Sequence, residues 1–123
     1  MSINFKQAIG VHADALHARA DRTRVLAANI ANENTPGFKA RDVDFAAALA
    51  AQADQPGGDT LAAQGGGGAD AMFRVPYHPS QDGNTVEIGV EQAAFSQNAS
   101  DFQASLTFIN MTLKGLAKAI NGQ

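Results

Sequence analysis

A chain of 123 residues with 12 glycines and a formal net charge of -3 builds at most one small domain with extensions, around a modest core. Nine Lys and Arg against twelve Asp and Glu, with no basic cluster, argue against nucleic acid or an anionic membrane surface as the main partner. Without cysteine there are no disulfides or thiolate metal sites. Apolar residues never run long enough to span a bilayer and Met1-Ser-Ile-Asn-Phe-Lys6 is no secretory leader, so these rules alone predict a cytosolic chain.

The first predicted element is a helix within residues 1–34. Ile9, Ala13, Leu16, Ala20, Thr23, Ala27 and Ile30 recur at alternating steps of four and three, the period of a coiled-coil seam, and Phe5 extends the row by one step. The row is rich in alanine and predicts close packing. The helix stops near Asn32, because Pro36 pushes Thr35 out of helical space. Thr35-Pro36-Gly37-Phe38 then suits a type II turn, with Pro36 at i+1 and Gly37 supplying positive φ at i+2.

Residues 35–54 hold that turn, an extended piece from Arg41 to Phe45, and an alanine-rich helical turn or two from Ala46 to Asp54. Residues 55–71, with Gly65-Gly-Gly-Gly68, cannot bury enough apolar surface to offset ordering and read as a mobile linker. Residues 72–88 are short and extended. Met72-Phe-Arg-Val-Pro-Tyr77 forms an apolar island that predicts a strand covering part of the helix pair, kept short by Pro76 and Pro79. Asp82-Gly83-Asn84 signals a turn, and Thr85 to Ile88 alternates like a brief extended segment.

A second helix is predicted over residues 89–123, with Gly89 as N-cap, Glu91 favouring the helix dipole, and Asn121-Gly122 as its stop. Phe95, Phe102, Leu106, Ile109, Leu113, Leu116 and Ile120 repeat the seam rhythm with bulky residues, and Ala99 stands near the missing step. Bulky residues there complement the small ones of the first helix. The fold class predicted is therefore mainly α, with N- and C-terminal helices paired as an antiparallel coiled coil around a small extended or β and Gly-rich middle. Two helices of this size bury too little to offset the entropy of ordering them, so the missing burial must come from neighbours.

No catalytic, cofactor or metal site is expected. No Gly-x-Ser-x-Gly elbow occurs, and the glycine run lacks the Lys-Ser/Thr of a phosphate cradle. His12 and His17, five apart, lie on different helix faces, and His78 stands alone. Asp42 and Asp44 alternate without the rest of a calcium loop. Asn98-Ala-Ser100 and Asn110-Met-Thr112 match the glycosylation triplet only inside a predicted helix. The chain is read as no enzyme, with no small-molecule substrate.

The run Ala28-Asn29-x-Ala31-Asn32-x-x-Thr35-Pro36-Gly37-Phe38-Lys39 resembles the N-terminal signature of the bacterial flagellar axial proteins, the rod and hook family. The short length, the continuation Lys39-Ala-Arg-Asp-Val-Asp-Phe45 and the later Asp82-Gly-Asn-Thr-Val-Glu87 look most like a proximal rod subunit. The resemblance covers both ends of the chain and leaves the middle uncovered. It implies a structural subunit that leaves the cell unfolded through the flagellar type III export apparatus without a cleaved signal, and joins the rod in the periplasm. Its implied partners are other rod subunits, copies of itself, and the adaptor between membrane ring and rod.

The resemblance also suggests roles, each beside a plainer one. Asn29 and Asn32 bond adjacent subunits, or else satisfy the free carbonyls ending their own helix. Pro36 and Gly37 are turn formers first, acting on assembly through chain direction. Phe38 and Phe45 fit core packing better than docking on a neighbour. Lys39 and Arg41 are placed on a solvated or interfacial face, with Asp42 or Asp44 as local partners. Phe5-x-x-x-Ile9 has the spacing of a short export signal, although its place in the seam explains the same residues. The rival readings are another rod subunit of the family, or a small soluble cytosolic helical binding module.

Overall fold

A computed structural model describes residues 5–47 and 71–122. The elements run α1 (Phe5–Ala31), β1 (Arg41–Val43), β2 (Ala71–Phe73) and α2 (Ile88–Asn121). Of the linker expected at residues 55–71, Ala71 is instead the first residue of β2 and the rest lies outside the described residues, as does the helical stretch expected beyond residue 47. Residues 45–47 are helical, opened by Asp44, whose Oδ1 accepts the Ala47 N–H at 3.2 Å.

The helices pair antiparallel. As the chain climbs α1 from His12 through Arg19 and Thr23 to Asn29, its partners on α2 fall from Phe108 through Asn98 to Glu91. With 34 residues against 27, α2 is about 10 Å the longer.

The expected seam has the right period but the wrong phase. The most buried residues of α1 are Ala15, Ala18, Leu26 and Asn29, and those of α2 are Glu91 and Asn98. Ala20 and Ala27 face solvent, and Ile9, Ala13, Leu16, Thr23 and Ile30 are half-buried. On α2, Phe102, Leu106, Ile109 and Leu116 are half-buried, while Phe95, Ala99, Leu113 and Ile120 are exposed. Each helix is rolled by about one residue from the pairing that apolar periodicity predicts. The physical reason is that Asn29, Glu91 and Asn98 occupy the centre of the interface, and hydrophobic pattern does not register them.

The Thr35–Phe38 turn forms as a type II turn. The Phe38 N–H donates to the Thr35 carbonyl at 3.2 Å, and Gly37 has φ 74°. A Cβ at Gly37 would meet nothing within 4 Å, so the cost of a side chain there is purely conformational. Gly37→Ala is therefore expected to lose about 1–2 kcal/mol of folding free energy. Gly10→Ala, equally unobstructed within α1, should gain about 0.5–1 kcal/mol. Urea denaturation of both variants checks the pair, and equal effects would contradict it.

β1 and β2 form a two-stranded antiparallel sheet in the register Arg41 to Phe73, Asp42 to Met72 and Val43 to Ala71. The apolar island does not cover the helix pair: Met72, Phe73, Val75 and Tyr77 are all exposed. What turns inward from this segment is charge, through Arg74.

Residues 84–87 are extended but form no ladder. One backbone bond, from the Thr85 N–H to the Phe38 carbonyl at 2.9 Å, ties them to the turn. α2 begins one residue before the expected cap: Glu87 is the N-cap and Gly89 lies inside the helix. The Glu87 carboxylate makes no capping bond, because it accepts the backbone N–H of His78 at 2.9 Å. The far end stops as expected, with Gly122 left-handed and its N–H on the Lys118 carbonyl.

Candidate assembly site

The signature residues gather where α1 ends. Asn29 is 1% exposed, and its amide faces β1. Its Nδ2 donates to the Arg41 carbonyl at 2.6 Å and its Oδ1 accepts the Arg41 N–H at 3.1 Å. The geometry follows from sheet alternation. The Arg74 N–H donates to the Ala40 carbonyl at 2.9 Å, while the Ala40 N–H goes to Thr85 Oγ1 at 2.8 Å, and Arg41, the next residue along, points its N–H and C=O away from β2. The Asn29 amide acts as a one-residue strand that closes this edge. The same Nδ2 lies 3.0 Å from Oε2 of Glu91 on α2. Asn29 thus does not satisfy the carbonyls ending its own helix, and within the chain its bonding groups serve other elements.

Asn32 does satisfy its own helix. Its Nδ2 donates to the Ala28 carbonyl at 2.7 Å, and its Oδ1 accepts the Thr35 hydroxyl at 3.1 Å. Three carbonyls of the turn that follows α1 go to Asn84, which the sequence marked only as part of a turn. Its Nδ2 lies within 3.0 Å of the carbonyls of Asn32, Glu33 and Thr35. Its Oδ1 accepts the Val86 N–H at 2.7 Å, and Gly83, at φ 76°, lets the chain bend into place.

Lys39 and Arg41 do not pair with the neighbouring carboxylates. Lys39 Nζ donates to the Gly83 carbonyl, and the Arg41 guanidinium lies 4.8 Å from the centre of the Phe73 ring. Asp42 and Asp44 have other partners. Phe38 is half-buried, and Phe45, also half-buried, lies 3.7 Å beneath the Arg19 guanidinium. Ile9 is half-buried on α1, in which Phe5 is the first residue.

A charge network ties α1, β1 and α2 to Arg74, the residue that follows β2. Arg22 grips Asp42 with Nε at 2.9 Å and Nη2 at 3.1 Å. Arg74 donates Nη2 to the same carboxylate at 2.7 Å and Nη1 to Glu91, which is fully buried. Glu91 in turn meets Asn29. Two guanidinium groups and two carboxylates balance, as burial requires. Sequence reasoning missed Arg74, Glu91 and Asn98 as interface residues. The available signal was Glu91 and Asn98 standing one heptad apart, which polar spacing shows and apolar spacing does not.

Burial pushes the Asp42 carboxyl up, but hydrogen bonds from Arg22, Arg74 and the Val43 N–H, with the charge of Arg22, outweigh it and hold the group below its ordinary value of 3.8. A depressed carboxylate stabilises the fold fully above the unfolded value and loses that contribution as pH falls through the folded one. Lowering pH from about 5 to about 2 should therefore reduce the urea midpoint. Asp42→Asn should flatten that part of the profile, and an unchanged acid slope would contradict the assignment.

Away from the network, the open end of α2 leaves Phe108, Met111, Leu113 and Ile120 exposed, the last at 74%. Among the described residues, no three potential metal ligands come together, and no helix is long and apolar enough to cross a membrane.

Comparison with known proteins agrees with the signature. The model of the family described as "Flagella basal body rod protein" matches residues 9–39, from within α1 to Lys39. Relatives named flagellar basal body rod protein FlgB match almost end to end. The protein of Cereibacter sphaeroides is 44% identical, over 97% of this chain and 98% of its own length. That of Aeromonas hydrophila is 40% identical over 100% and 99%, and that of Escherichia coli K12 is 37% identical over 87% and 88%. With a signature closing α1 and relatives alike over both helices, the chain belongs to the FlgB family of flagellar basal body rod proteins.

Proposed function

We propose that the chain is a non-enzymatic structural subunit of the proximal rod in the flagellar basal body, self-associating through its terminal helices into the tubular drive shaft. Family membership supports the rod role. The observation that carries self-association is the open end of α2, where Phe108, Met111, Leu113 and Ile120 stay exposed and α1 reaches alongside at Phe108 through His12. Large apolar side chains gathered on one helix end are the surface that contact with another chain would remove from water. Head-to-tail contacts that do not close generate a helical tube.

In this reading the partners are other rod subunits, further copies of the chain, the adaptor between membrane ring and rod, and the type III export apparatus. The site is the periplasmic part of the rod. Phe5 and Ile9 provide the export spacing before α1 is buried. Asn32, Thr35, Pro36, Gly37, Phe38 and Lys39 act indirectly, by fixing the direction in which the chain leaves the helix layer.

Deleting residues 109–123 tests the proposal against a small monomeric binding module. A rod subunit should stay soluble, keep the network around Asn29 and Glu91, and lose both association and motility. Collapse of the whole fold would favour the module.

A further inference from the structure

Asn98 is fully buried at the centre of the helix interface, where a coiled coil ordinarily places an apolar residue. Its Nδ2 donates to the Arg19 carbonyl at 2.9 Å and lies 2.8 Å from Thr23 Oγ1. Its Oδ1 is buried with no partner among the described residues. Thr23 Oγ1 also donates to the Arg19 carbonyl at 3.0 Å. The two groups that Asn98 contacts are therefore already bonded to each other.

This arrangement separates what Asn98 contributes from what it costs. Removing the amide would leave neither the Thr23 hydroxyl nor the Arg19 carbonyl orphaned, and it would eliminate one buried unpaired acceptor. A leucine of similar volume should therefore make the isolated helix pair more stable. The amide's value lies in the alignment it demands. Displace α2 by one heptad, and the residue that takes the place of Thr23 opposite Asn98 is Leu16 in one direction and Ile30 in the other. Neither offers an oxygen on its side chain. The Asn29–Glu91 contact fixes the same alignment at the turn end, and Asn98 repeats it one heptad, about 10 Å, farther along. Beyond it the helices are joined by the Arg19–Asp101 ion pair at 3.2 Å, and the half-buried Leu106, Ile109 and Leu116 carry no side-chain oxygen that would fix an alignment.

We propose that Asn98 is an alignment pin: it weakens the isolated subunit, and it confines α2 to a single antiparallel register against its own α1 while the apolar end stays unpaired. The inference rests on the helix pair alone and survives even if the chain does not polymerise.

The test is Asn98→Leu in the full chain carrying Glu91→Gln, the parent of this comparison, in which the alignment held at the turn end is loosened without stranding a charge. Spin labels sit on cysteines introduced at the exposed positions Val11 and Asn110, the native chain having none. The urea midpoint should rise, with a folding constant about tenfold larger. The parent should show one interlabel distance, and the variant a second population displaced by about 10 Å or an added dimer. A lower midpoint, or a higher one with a single unchanged distance and no new oligomer, overturns the proposal. A second comparison is independent of the labels. Thr23→Val should lower the midpoint clearly in the parent and little in the Asn98→Leu background, and equal losses in both also overturn it.

Discussion

Replacing Asn29 with leucine is expected to cost about 3–6 kcal/mol of folding free energy, most of what a small domain has. The side chain fits the space but bonds nothing. It would strand the N–H and C=O of Arg41 and one oxygen of the buried Glu91, three groups the Asn29 amide now serves. Each orphan costs about 1–3 kcal/mol, more where the group is charged. Asn32, the same residue type one turn later, bonds only its own helix end and Thr35 at the surface. Asn32→Ala should therefore stay within about 1 kcal/mol of the parent. Urea denaturation of the two variants decides the matter, and similar losses would refute the edge-closing role of Asn29.

The second large effect is expected at Arg74, whose guanidinium joins Asp42 to the fully buried Glu91. Arg74→Met should cost about 3–5 kcal/mol, because Glu91 would be left buried with only Asn29 as partner. Much of that loss is the penalty of an uncompensated charge. In a Glu91→Gln background the same substitution should cost no more than about 2 kcal/mol. A double-mutant cycle measures the difference. Additive losses would mean that Arg74 stabilises the fold through packing rather than by neutralising Glu91.

These two effects explain which parts of the molecule could be read from the residues. The helices, their C-terminal ends and the type II turn follow from local chemistry: a 3.5-residue rhythm, Pro36 and Gly37 in order, and Gly122 at the stop. The rotation of the helices does not follow from it. Apolar rows such as Leu106, Leu113 and Ile120 mark where hydrophobic surface lies, not whether it faces α1 or something else. The choice between faces is made by partners far apart in sequence, Asn29 with Glu91 and Asn98 with Thr23, whose bonds exist only once the fold has formed. The same holds for Asn84, which reads locally as a turn residue and in three dimensions closes the end of α1.

A division of labour results. Polar groups hold α1, the sheet and α2 together near the turn, in a network whose geometry is specific and whose net stabilisation is small. Exposed apolar surface lies at the other end of α2 and on the segment from Met72 to Tyr77 beside the sheet.

The most direct measurement is photo-crosslinking in purified basal bodies, with a photoreactive residue at Ile120 on the exposed end of α2 or at Ala18 inside the helix interface. The account predicts that position 120 captures adjacent rod subunits and that position 18 captures only α2 of its own chain. Crosslinks from position 18 to other subunits, with none from position 120, would contradict it.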